Sequence, residues 1–431
     1  GVPHQAIFRT SKESLYAPVY PSARPARLDD VLIVGAGTGN DVAQALDQGA
    51  RHVDAVEIDP RLHQIGTELH PDRPYADPRV DVHIDDGRAF LERTDRRYDL
   101  ILFALPDSIT LVSGQSSLRL ESYLFTREAM QSARDHLRSG GAFAMYNYYV
   151  EQWLIERLAG TLDQVYDGPP CVDSSAGVGR LSFLIASDDP DSIRCQTSGS
   201  VDLEAAPEPA TDDHPFPYLR RPSLPAFYLI TIAVILLLSV AAVRVASGPF
   251  RRMAGYGDLF FMGAAFLLLE TKSVVQFALL FGTTWLVNAL VFGGVLVSVL
   301  AAVEVSRRVT VANPARLYLV LLATLAVAFA IPNGSLLSLP VGLRLLAAVV
   351  LAFAPIFVAN LVFTQRFRDV GSSTAAFGAN LLGAMVGGLL EYAALVVGYR
   401  LLLVVVAVLY GSAFALGRHH LAAPGLSSHR A

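Results

Sequence analysis

Residues 31–59, VLIVGAGTGNDVAQALDQGARHVDAVEID, decide the fold of the first half of the chain. The four apolar residues that open this stretch predict a short strand buried on both faces. Gly35, Gly37 and Gly39 follow at alternate positions, and glycine tolerates a positive φ and lets a ligand approach the backbone closely. A second apolar strand closes the stretch with Glu57 near its end. The order strand, glycine turn, helix and acidic strand end is typical of a nucleotide-binding α/β unit.

The glycine turn leads into a helix that we predict to start with Asn40 or Asp41 as its cap and to run to about Gln48. An acidic residue about 20 positions beyond such a turn is where these units hold ribose hydroxyls. Glu57 occupies that position. A glycine pattern alone is weak evidence, and the agreement of all four elements makes it strong.

The chain continues to alternate strands and helices as far as residue 186. Further short strands are predicted at residues 80–84, 98–102, 142–146 and 180–186. Alternation of this kind predicts a mostly parallel sheet with helices on both faces, in which ligands bind at the carboxyl ends of the strands. Glu57, Asp86, Gly87 and Asp107 lie at or just after predicted strands. We therefore expect them to meet the glycine turn at one crevice.

The composition changes sharply along the chain. Of the 431 residues 52% are hydrophobic, and the net charge is −5. Residues 1–222 have an ordinary polar content, whereas residues 225–417 form long apolar runs. This predicts a water-soluble α/β half joined to a multi-pass membrane half that lies in the lipid bilayer. The acidic balance gives no reason to expect nucleic acid as a partner.

We predict five segments from these patterns. They are an extended segment or hairpin at 1–30, an α/β domain at 31–186, an acidic Pro-rich linker at 187–224, a domain of about seven transmembrane helices at 225–417, and a tail at 418–431. Because motif-like sequence begins at once and no methionine opens the chain, we expect a truncated start. The aromatic residues Phe216 and Tyr218 predict that the second half of the linker docks rather than remaining a free tether.

Seven apolar segments make up the second half. They lie at about 225–246, 257–282, 284–303, 315–332, 341–363, 373–397 and 399–417. Gly383, Gly387 and Gly388 suit close contact between helices. Polar residues also lie within or beside these segments, namely Glu270, Lys272, Gln276, Asn288, Asn360, Asn380 and Glu391. A structural role for them is favoured over an ion or substrate path.

Cys171 and Cys195 are the only cysteines. Their spacing matches no zinc or redox motif, so we predict two free thiols and no metal.

Residues 31–146 resemble the spermidine/spermine synthase family, which has the class I S-adenosylmethionine methyltransferase fold. The motifs that carry the resemblance are GAGTGN, VEID, HIDDGRAFL, YDLILFALPDS, and YLFTREAM followed by LRSGGAF. Their order and spacing match the family, and the opening GVPHQ is similar to its early glycine-to-glutamine segment. The second half is similar to multi-pass bacterial proteins that carry a synthase-like domain.

The resemblance implies a site for S-adenosylmethionine or its decarboxylated form, used as co-substrate without a metal. It implies that the three glycines of the turn face the amino-acid or propylamine part of this donor. It further implies that Glu57 binds the ribose hydroxyls, that Asp86 binds the adenine amino group with Gly87 close to the ring, and that Gln5 lies by the nucleoside.

The acceptor side departs from the family. Residues 104–108 read ALPDS where the family has D-x-[S/T]-D-P, so the family's base position is Ala104 and only Asp107 remains as a catalytic candidate. The family's Tyr-His-Glu acceptor segment reads Tyr-Ala-Pro here, at residues 16–18. Weaker replacement candidates are Glu121, Tyr146, Asn147, Tyr148, Asp212 and Asp213. A base is needed because an amine with a pKa near 10 must lose its proton before it attacks.

Three functions remain open from the sequence. The first is a membrane-bound aminopropyltransferase acting on a polyamine. The second is a methyltransferase acting on a lipid-soluble, membrane-delivered acceptor. The third is a non-catalytic nucleoside-sensing domain coupled to a transporter-like bundle, which the loss of the catalytic aspartate at Ala104 favours. An oligomeric state is left open.

The side of the membrane on which the α/β half lies presents a conflict. The donor is cytosolic, so we predict an inner-membrane protein with this half in the cytoplasm. The ends of seven helices distribute the arginines unevenly, however. On one side lie Arg244, Arg251, Arg252, Arg307, Arg308, Arg316, Arg366, Arg368 and Arg418. The side of the α/β half has Arg220, Arg221, Arg344 and Arg400. The positive-inside rule would place that half outside.

Overall fold

The computed structural model describes residues 6–11, 16–104, 122–174, 180–195, 201–309 and 314–421. Two compact units divide the chain, Gly1–Arg221 and Pro222–Ala431. The first unit is a mixed α/β sheet with a Rossmann-like fold, and the second is helical.

The α/β unit contains seven strands and six α-helices among its described residues. The strands are β1 (Asp30–Val34), β2 (His52–Glu57), β3 (Val80–Ile84), β4 (Tyr98–Ala104), β5 (Leu137–Tyr149), β6 (Cys171–Ser174) and β7 (Arg180–Ala186). The helices are α1 (Val19–Ser22), α2 (Asn40–Asp47), α3 (Pro60–Leu69), α4 (Gly87–Leu91), α5 (Arg127–Asp135) and α6 (Gln152–Tyr166).

The sheet has the order β3-β2-β1-β4-β5-β7-β6. Its first five strands are parallel, β7 is antiparallel to β5, and β6 is antiparallel to β7. The central strands β1 and β4 are almost entirely buried, as their continuous apolar runs predicted. The mostly parallel sheet predicted from the sequence is therefore confirmed, whereas α1 and β6 were not predicted.

The start of α2 differs from the prediction. Gly39 is the cap residue, with φ at 97°, and Asn40 and Asp41 lie inside the first turn of the helix. A left-handed backbone at this position suits glycine because it lacks a Cβ. The side chains of Asn40 and Asp41 are consequently available for contacts elsewhere.

Most of the segment predicted to be a linker packs with the α/β unit. Residues 210–221, which we call the strap, include the buried side chains of Phe216, Tyr218 and Leu219. The Arg157 guanidinium on α6 donates to the backbone oxygens of Pro217 and Leu219, at 2.6 Å each. The docking predicted from the aromatic content of this segment is thus observed.

Cys171 and Cys195 form a disulfide with a Cα–Cα distance of 5.5 Å. The prediction of free thiols was wrong. The cysteines are 24 residues apart. The antiparallel pairing of β6 with β7 places Ile185 beside Cys171, and the segment after β7 brings Cys195 to the same place. That strand pairing is a long-range feature, and it was not visible in the spacing of the cysteines.

The helical unit contains all seven predicted apolar segments as helices. They are α7 (Ala226–Ser247), α8 (Phe250–Met253), α9 (Gly257–Phe281), α10 (Trp285–Arg308), α11 (Pro314–Ala330), α12 (Asn333–Leu337), α13 (Val341–Arg368), α14 (Ser373–Leu390), α15 (Ala394–Val397) and α16 (Tyr399–Leu421). Among the described residues, six helices are long and apolar enough to cross a membrane, and α11 is a shorter apolar helix. Helix α16 extends into the segment predicted to be the tail.

Small residues let α14 approach α9 closely. A Cβ added to Gly383 would lie 1.8 Å from the backbone oxygen of Phe260, and one added to Gly387 would lie 2.2 Å from that of Ala264. Since backbone atoms block both positions, only glycine fits there. This agrees with the helix contact predicted for Gly383 and Gly387.

Three of the polar side chains singled out in the apolar segments have local partners. Lys272 donates to Gln276 at 2.6 Å, and Gln276 donates to Asn333 at 3.0 Å. Asn380 donates to the backbone oxygen of Leu259 at 3.0 Å. These contacts support the structural role favoured from the sequence.

Candidate functional site

The glycine turn between β1 and α2 has the positive φ values that its three glycines allow. Gly35, Gly37 and Gly39 have φ values of 84°, 56° and 97°, a region that side chains disfavour. The Gly35 and Ala36 N–H groups both donate to the backbone oxygen of Val56 on β2, at 2.9 and 3.0 Å. The turn is therefore tied to the neighbouring strand.

Glu57 at the end of β2 braces this turn. Its Oε2 accepts the Gly37 N–H at 2.7 Å, and its Oε1 accepts the Asp59 N–H at 2.8 Å. Burial raises the pKa of the Glu57 carboxyl above its ordinary value, and the two N–H groups oppose that rise. A carboxylate has about four lone-pair sites, so these two bonds leave it able to accept hydroxyl groups.

A tyrosine that the sequence analysis did not single out covers the turn from the other side. The Tyr75 hydroxyl donates to the Gly37 backbone oxygen at 2.7 Å. A Cβ added to Gly39 would lie 2.7 Å from Cγ of Pro74. Tyr75 lies in a loop rich in Pro and Asp, whose composition predicts a turn and carries no signal for this contact.

Asp86 and Gly87 follow β3 at the same edge of the sheet. Asp86 caps α4, its Oδ1 accepting the Ala89 N–H at 3.0 Å. A Cβ added to Gly87 would lie 2.2 Å from Cγ1 of Val34. Gly87 therefore has a packing role at the end of β1, besides the contact with a base that the resemblance implies.

The parallel pairing brings four strand ends together. Val34 of β1 pairs with Val56 of β2 and with Phe103 of β4, and Glu57 pairs with Ile84 of β3. Ala104 follows as the last residue of β4 and is 1% exposed. The glycine turn, Glu57, the start of α4 and Ala104 thus share one edge, whereas Asp107, the fourth group predicted there, lies outside the described residues.

Three predicted residues lie outside the described residues. They are Gln5, Asp107 and Glu121. Of the weaker candidates for a replacement base, Asp212 belongs to the strap and is committed to other groups. It accepts from Thr126 at 2.8 Å and lies 3.3 Å from a guanidinium nitrogen of Arg88. Burial raises the pKa of Asp212, and the Arg88 charge opposes this rise.

Asn40 and Asp41 point their buried side chains toward neighbouring elements. The Asn40 amide donates to the Tyr16 hydroxyl at 3.0 Å and to the Ala6 backbone oxygen at 2.8 Å. Asp41 Oδ1 accepts the Tyr146 hydroxyl of β5 at 2.6 Å. Burial raises the pKa of the Asp41 carboxyl to about 7. Tyr146 was predicted as a weak candidate, and the structure brings it beside the helix that follows the glycine turn.

Two other polar features lie away from this edge. His52, Asp54 and Asp81 lie close enough to share an ion. The Arg96 guanidinium already lies 2.9 Å from Asp54 and 3.8 Å from Asp81, however. A cavity of about 490 Å³ lies near the start of β5. Two arginines of its lining are paired with carboxylates, Arg138 at 2.6 Å from Asp30 and Arg134 at 3.2 Å from Asp167.

Comparison with known proteins supports the resemblance over the α/β unit. A family model described as the spermine/spermidine synthase domain matches residues 19–166. A polyamine aminopropyltransferase from Synechococcus sp. is 31% identical over 173 residues, covering 38% of this chain and 53% of the relative. The chain spans about half the length of this curated relative.

The chain is also similar to two solved structures of complexes. One is a spermidine synthase in complex with the transition-state analogue AdoDATO, at 16% identity and a TM-score of 0.34, covering 46% of this chain and 72% of that one. Another is human methyltransferase-like protein 13 in complex with SAH, at 20% identity and a TM-score of 0.31, covering 39% and 76%. At identities of 16% and 20%, the two similarities bear on the fold and not on the function.

Proposed function

We propose that the α/β unit binds S-adenosylmethionine or its decarboxylated form and that the protein transfers an aminopropyl group to a polyamine. The observation that carries the proposal is Glu57, which braces the glycine turn through the Gly37 N–H at 2.7 Å and still has acceptor capacity for ribose hydroxyls. The match of residues 19–166 to the synthase domain supports the same donor.

The individual site residues form part of the proposal. Glu57 would hold the ribose, while Asp86 and Gly87 would lie by the adenine. Gln5 and Asp107 are assigned from the resemblance alone. The propylamine end of the donor would face the glycine turn. The acceptor would be a polyamine, because an aliphatic amine supplies the nucleophile that attacks the carbon beside the sulfonium.

The direct test offers purified full-length protein each donor in calorimetry and then measures transfer from labelled donor to putrescine or spermidine. We expect binding of the decarboxylated donor and formation of a labelled polyamine. Tight donor binding without transfer would contradict the enzymatic proposal. It would leave the nucleoside-sensing alternative, which Ala104 at the usual position of the base favours. Transfer of a methyl group from intact S-adenosylmethionine would instead favour a methyltransferase.

We further propose that the helical unit lies in the inner membrane. Six helices of the described residues have the length and hydropathy for this, and the exposed side chains of α7 and α10 are largely apolar. A helix surrounded by lipid exposes apolar side chains of this kind, whereas a helix in water exposes polar ones. Recovery of the protein in the membrane fraction, resistant to carbonate extraction, would test this assignment.

A further inference from the structure

Aminopropyl transfer needs a base. The last residue of β4 is Ala104, which cannot act as one, and the catalytic candidate Asp107 lies outside the described residues. The register pairs Ala104 with Tyr146 on the parallel strand β5. Paired residues of neighbouring parallel strands point to the same face, about 5 Å apart. Both side chains belong to one core cluster with residues of α2. The structure therefore identifies the face on which a substitute carboxylate must lie.

Helix α2 places a carboxylate on that face. Asp41 is 2% exposed, and its Oδ1 accepts the Tyr146 hydroxyl at 2.6 Å. Besides Tyr146 on β5, the titratable groups that face Asp41 are the hydroxyls of Tyr20 and Tyr75, from the segments before β1 and before β3. No cation of the described residues forms an ion pair with Asp41.

Two polar groups beside Asp41 lack hydrogen-bond partners. Gln44, one helical turn further along α2, is 1% exposed, and among the described residues neither atom of its amide has a partner. The buried Tyr20 hydroxyl likewise has no partner there. Buried polar groups are rarely left unsatisfied, because each loses its hydrogen bonds to water on burial. Gln44 lies on the Asp41 face of α2, and Tyr20 of α1 faces Asp41. Unsatisfied groups at this place point to a polar ligand.

We propose that Asp41 is the general base that deprotonates the acceptor amine, with Tyr146 positioning its carboxylate and with Gln44 and Tyr20 receiving the amine. This inference rests on the proposed aminopropyl transfer and names the acceptor side of the same site. A primary alkylammonium donates three N–H groups, which suit the Asp41 carboxylate, the Gln44 amide oxygen and the Tyr20 hydroxyl oxygen.

The proposed step balances without another reactant. The Asp41 carboxylate takes one proton from the alkylammonium, which frees a lone pair on the nitrogen. That pair forms the new C–N bond, while the bond between the same carbon and the sulfonium sulfur breaks and its electrons remain on sulfur. The products are the aminopropylated amine, still protonated, and methylthioadenosine. Asp41 returns its proton to solvent after product release. The pKa of about 7 for Asp41 suits a base that works near neutrality.

The test compares wild-type full-length protein with Asp41→Asn, Tyr146→Phe and the control Asp47→Asn, which changes an exposed carboxylate on the same helix. Methylthioadenosine binding measured by calorimetry reports the donor site separately. We expect Asp41→Asn to bind methylthioadenosine within about threefold of wild type and to lose transfer by at least about 100-fold, the usual contribution of a general base. Asp47→Asn should retain both properties.

The pH dependence of kcat/KM for Tyr146→Phe tests the role of Asp41 independently of the Asp41→Asn variant. The tyrosine hydroxyl lowers the pKa of Asp41 by donating to its charged form, so its removal should move the acidic limb of kcat/KM to higher pH. If wild type transfers and Asp41→Asn transfers equally well, or if Tyr146→Phe leaves the limb unchanged, the inference about Asp41 fails while the function stands. If wild type binds methylthioadenosine and transfers nothing, both proposals fail.

Discussion

At the scale of the residue, Glu57 both fixes the backbone of the glycine turn and is the proposed ligand of the ribose. The same carboxylate holds the backbone of Gly37 and Asp59 and would receive the ribose. We predict that Glu57→Gln weakens binding of methylthioadenosine by about 10- to 100-fold, because hydrogen bonds to a charged group contribute about 1.5–3 kcal/mol. Calorimetry on the purified protein measures this change.

The control for Glu57 is Glu68→Gln on α3, which changes an exposed carboxylate outside the predicted crevice. Its affinity should equal that of wild type. Equal affinity of Glu57→Gln and wild type would remove the ribose assignment. A lower thermal midpoint of Glu57→Gln together with unchanged affinity would mean that Glu57 only braces the turn.

Asp41 gives a second prediction at this scale, in the pH dependence of stability. Its folded pKa of about 7 lies above the ordinary value for an aspartic acid, about 3.9. Between these values the folded state binds a proton that the unfolded state releases, so the contribution of Asp41 to stability falls as the pH rises. Asp41→Asn should therefore be more thermally stable than wild type between about pH 5 and about pH 8. Its expected size is on the order of a few kcal/mol.

Differential scanning fluorimetry of both proteins across that range measures the difference, and Trp153 reports on the α/β unit. The difference in unfolding midpoint should be smallest at the acidic end, where both side chains are neutral. A difference that does not change with pH would show that Asp41 titrates near its ordinary pKa.

At the scale of the element, local order was predictable where neighbouring residues determine it. The apolar run of β1, the alternate glycines and the acidic end of β2 predicted strand, turn, helix and strand in the correct places. The cap of α2 was missed because a φ of 97° at Gly39 depends on what surrounds the turn. Tyr75 over the turn and the pairing of Cys171 with Cys195 depend on contacts that join distant parts of the chain, so local patterns could not predict them.

The strap provides a prediction about an element that has no regular structure. Arg157 is 5% exposed, and its guanidinium donates to the backbone oxygens of Pro217, Leu219 and Arg220. Burial lowers the pKa of Arg157 to about 10. In Arg157→Gln these oxygens would lose charged donors, at a cost of about 1–3 kcal/mol. We expect the strap to detach at least about tenfold more often.

Chymotrypsin measures this detachment, because it cleaves after tyrosine and Tyr218 is buried in the folded protein. Cleavage between Tyr218 and Leu219 should be about tenfold faster in Arg157→Gln than in wild type. Arg61→Gln, on the exposed surface of α3, should leave the rate unchanged. An unchanged rate in Arg157→Gln would mean that the apolar contacts of the strap hold it without the guanidinium.

At the scale of the whole molecule, contacts within the helical unit separate its arginines into two ends. Arg366 near the end of α13 pairs with Asp258 at the start of α9 at 2.5 Å, and Arg368 donates to Ser306 near the end of α10. At the opposite ends of their helices, Arg400 at the start of α16 donates to Phe329 near the end of α11 at 3.1 Å. The end that holds Arg366 and Arg368 carries most of the arginines. If the helical unit spans the membrane as proposed, the positive-inside rule predicts that this end faces the cytoplasm.

The disulfide adds an independent argument about sidedness. Disulfides persist in oxidising compartments and are rare in the cytosol, so the bond between Cys171 and Cys195 weighs against the cytoplasmic placement expected from the donor. Helix α7 begins just after the α/β unit and ends near Arg251 and Arg252 at the arginine-rich end. Both observations favour the α/β unit on the outer side. Transfer by the purified protein can be assayed on either assignment, since donor and acceptor are then supplied. In the cell, an outer α/β unit would need its proposed donor on that side.

Labelling of the two cysteines in intact cells decides between the placements. We predict that a membrane-impermeant maleimide attaches to Cys171 and Cys195 only after an impermeant reductant has opened the disulfide, giving two adducts without lysis. In a variant with both cysteines replaced by serine, Ser335→Cys at the arginine-poor end should be labelled from outside, and Val309→Cys at the arginine-rich end should not. Labelling of Cys171 and Cys195 only after lysis would place the α/β unit in the cytoplasm, beside its donor. Labelling of Val309→Cys in intact cells would reverse the orientation of the helical unit.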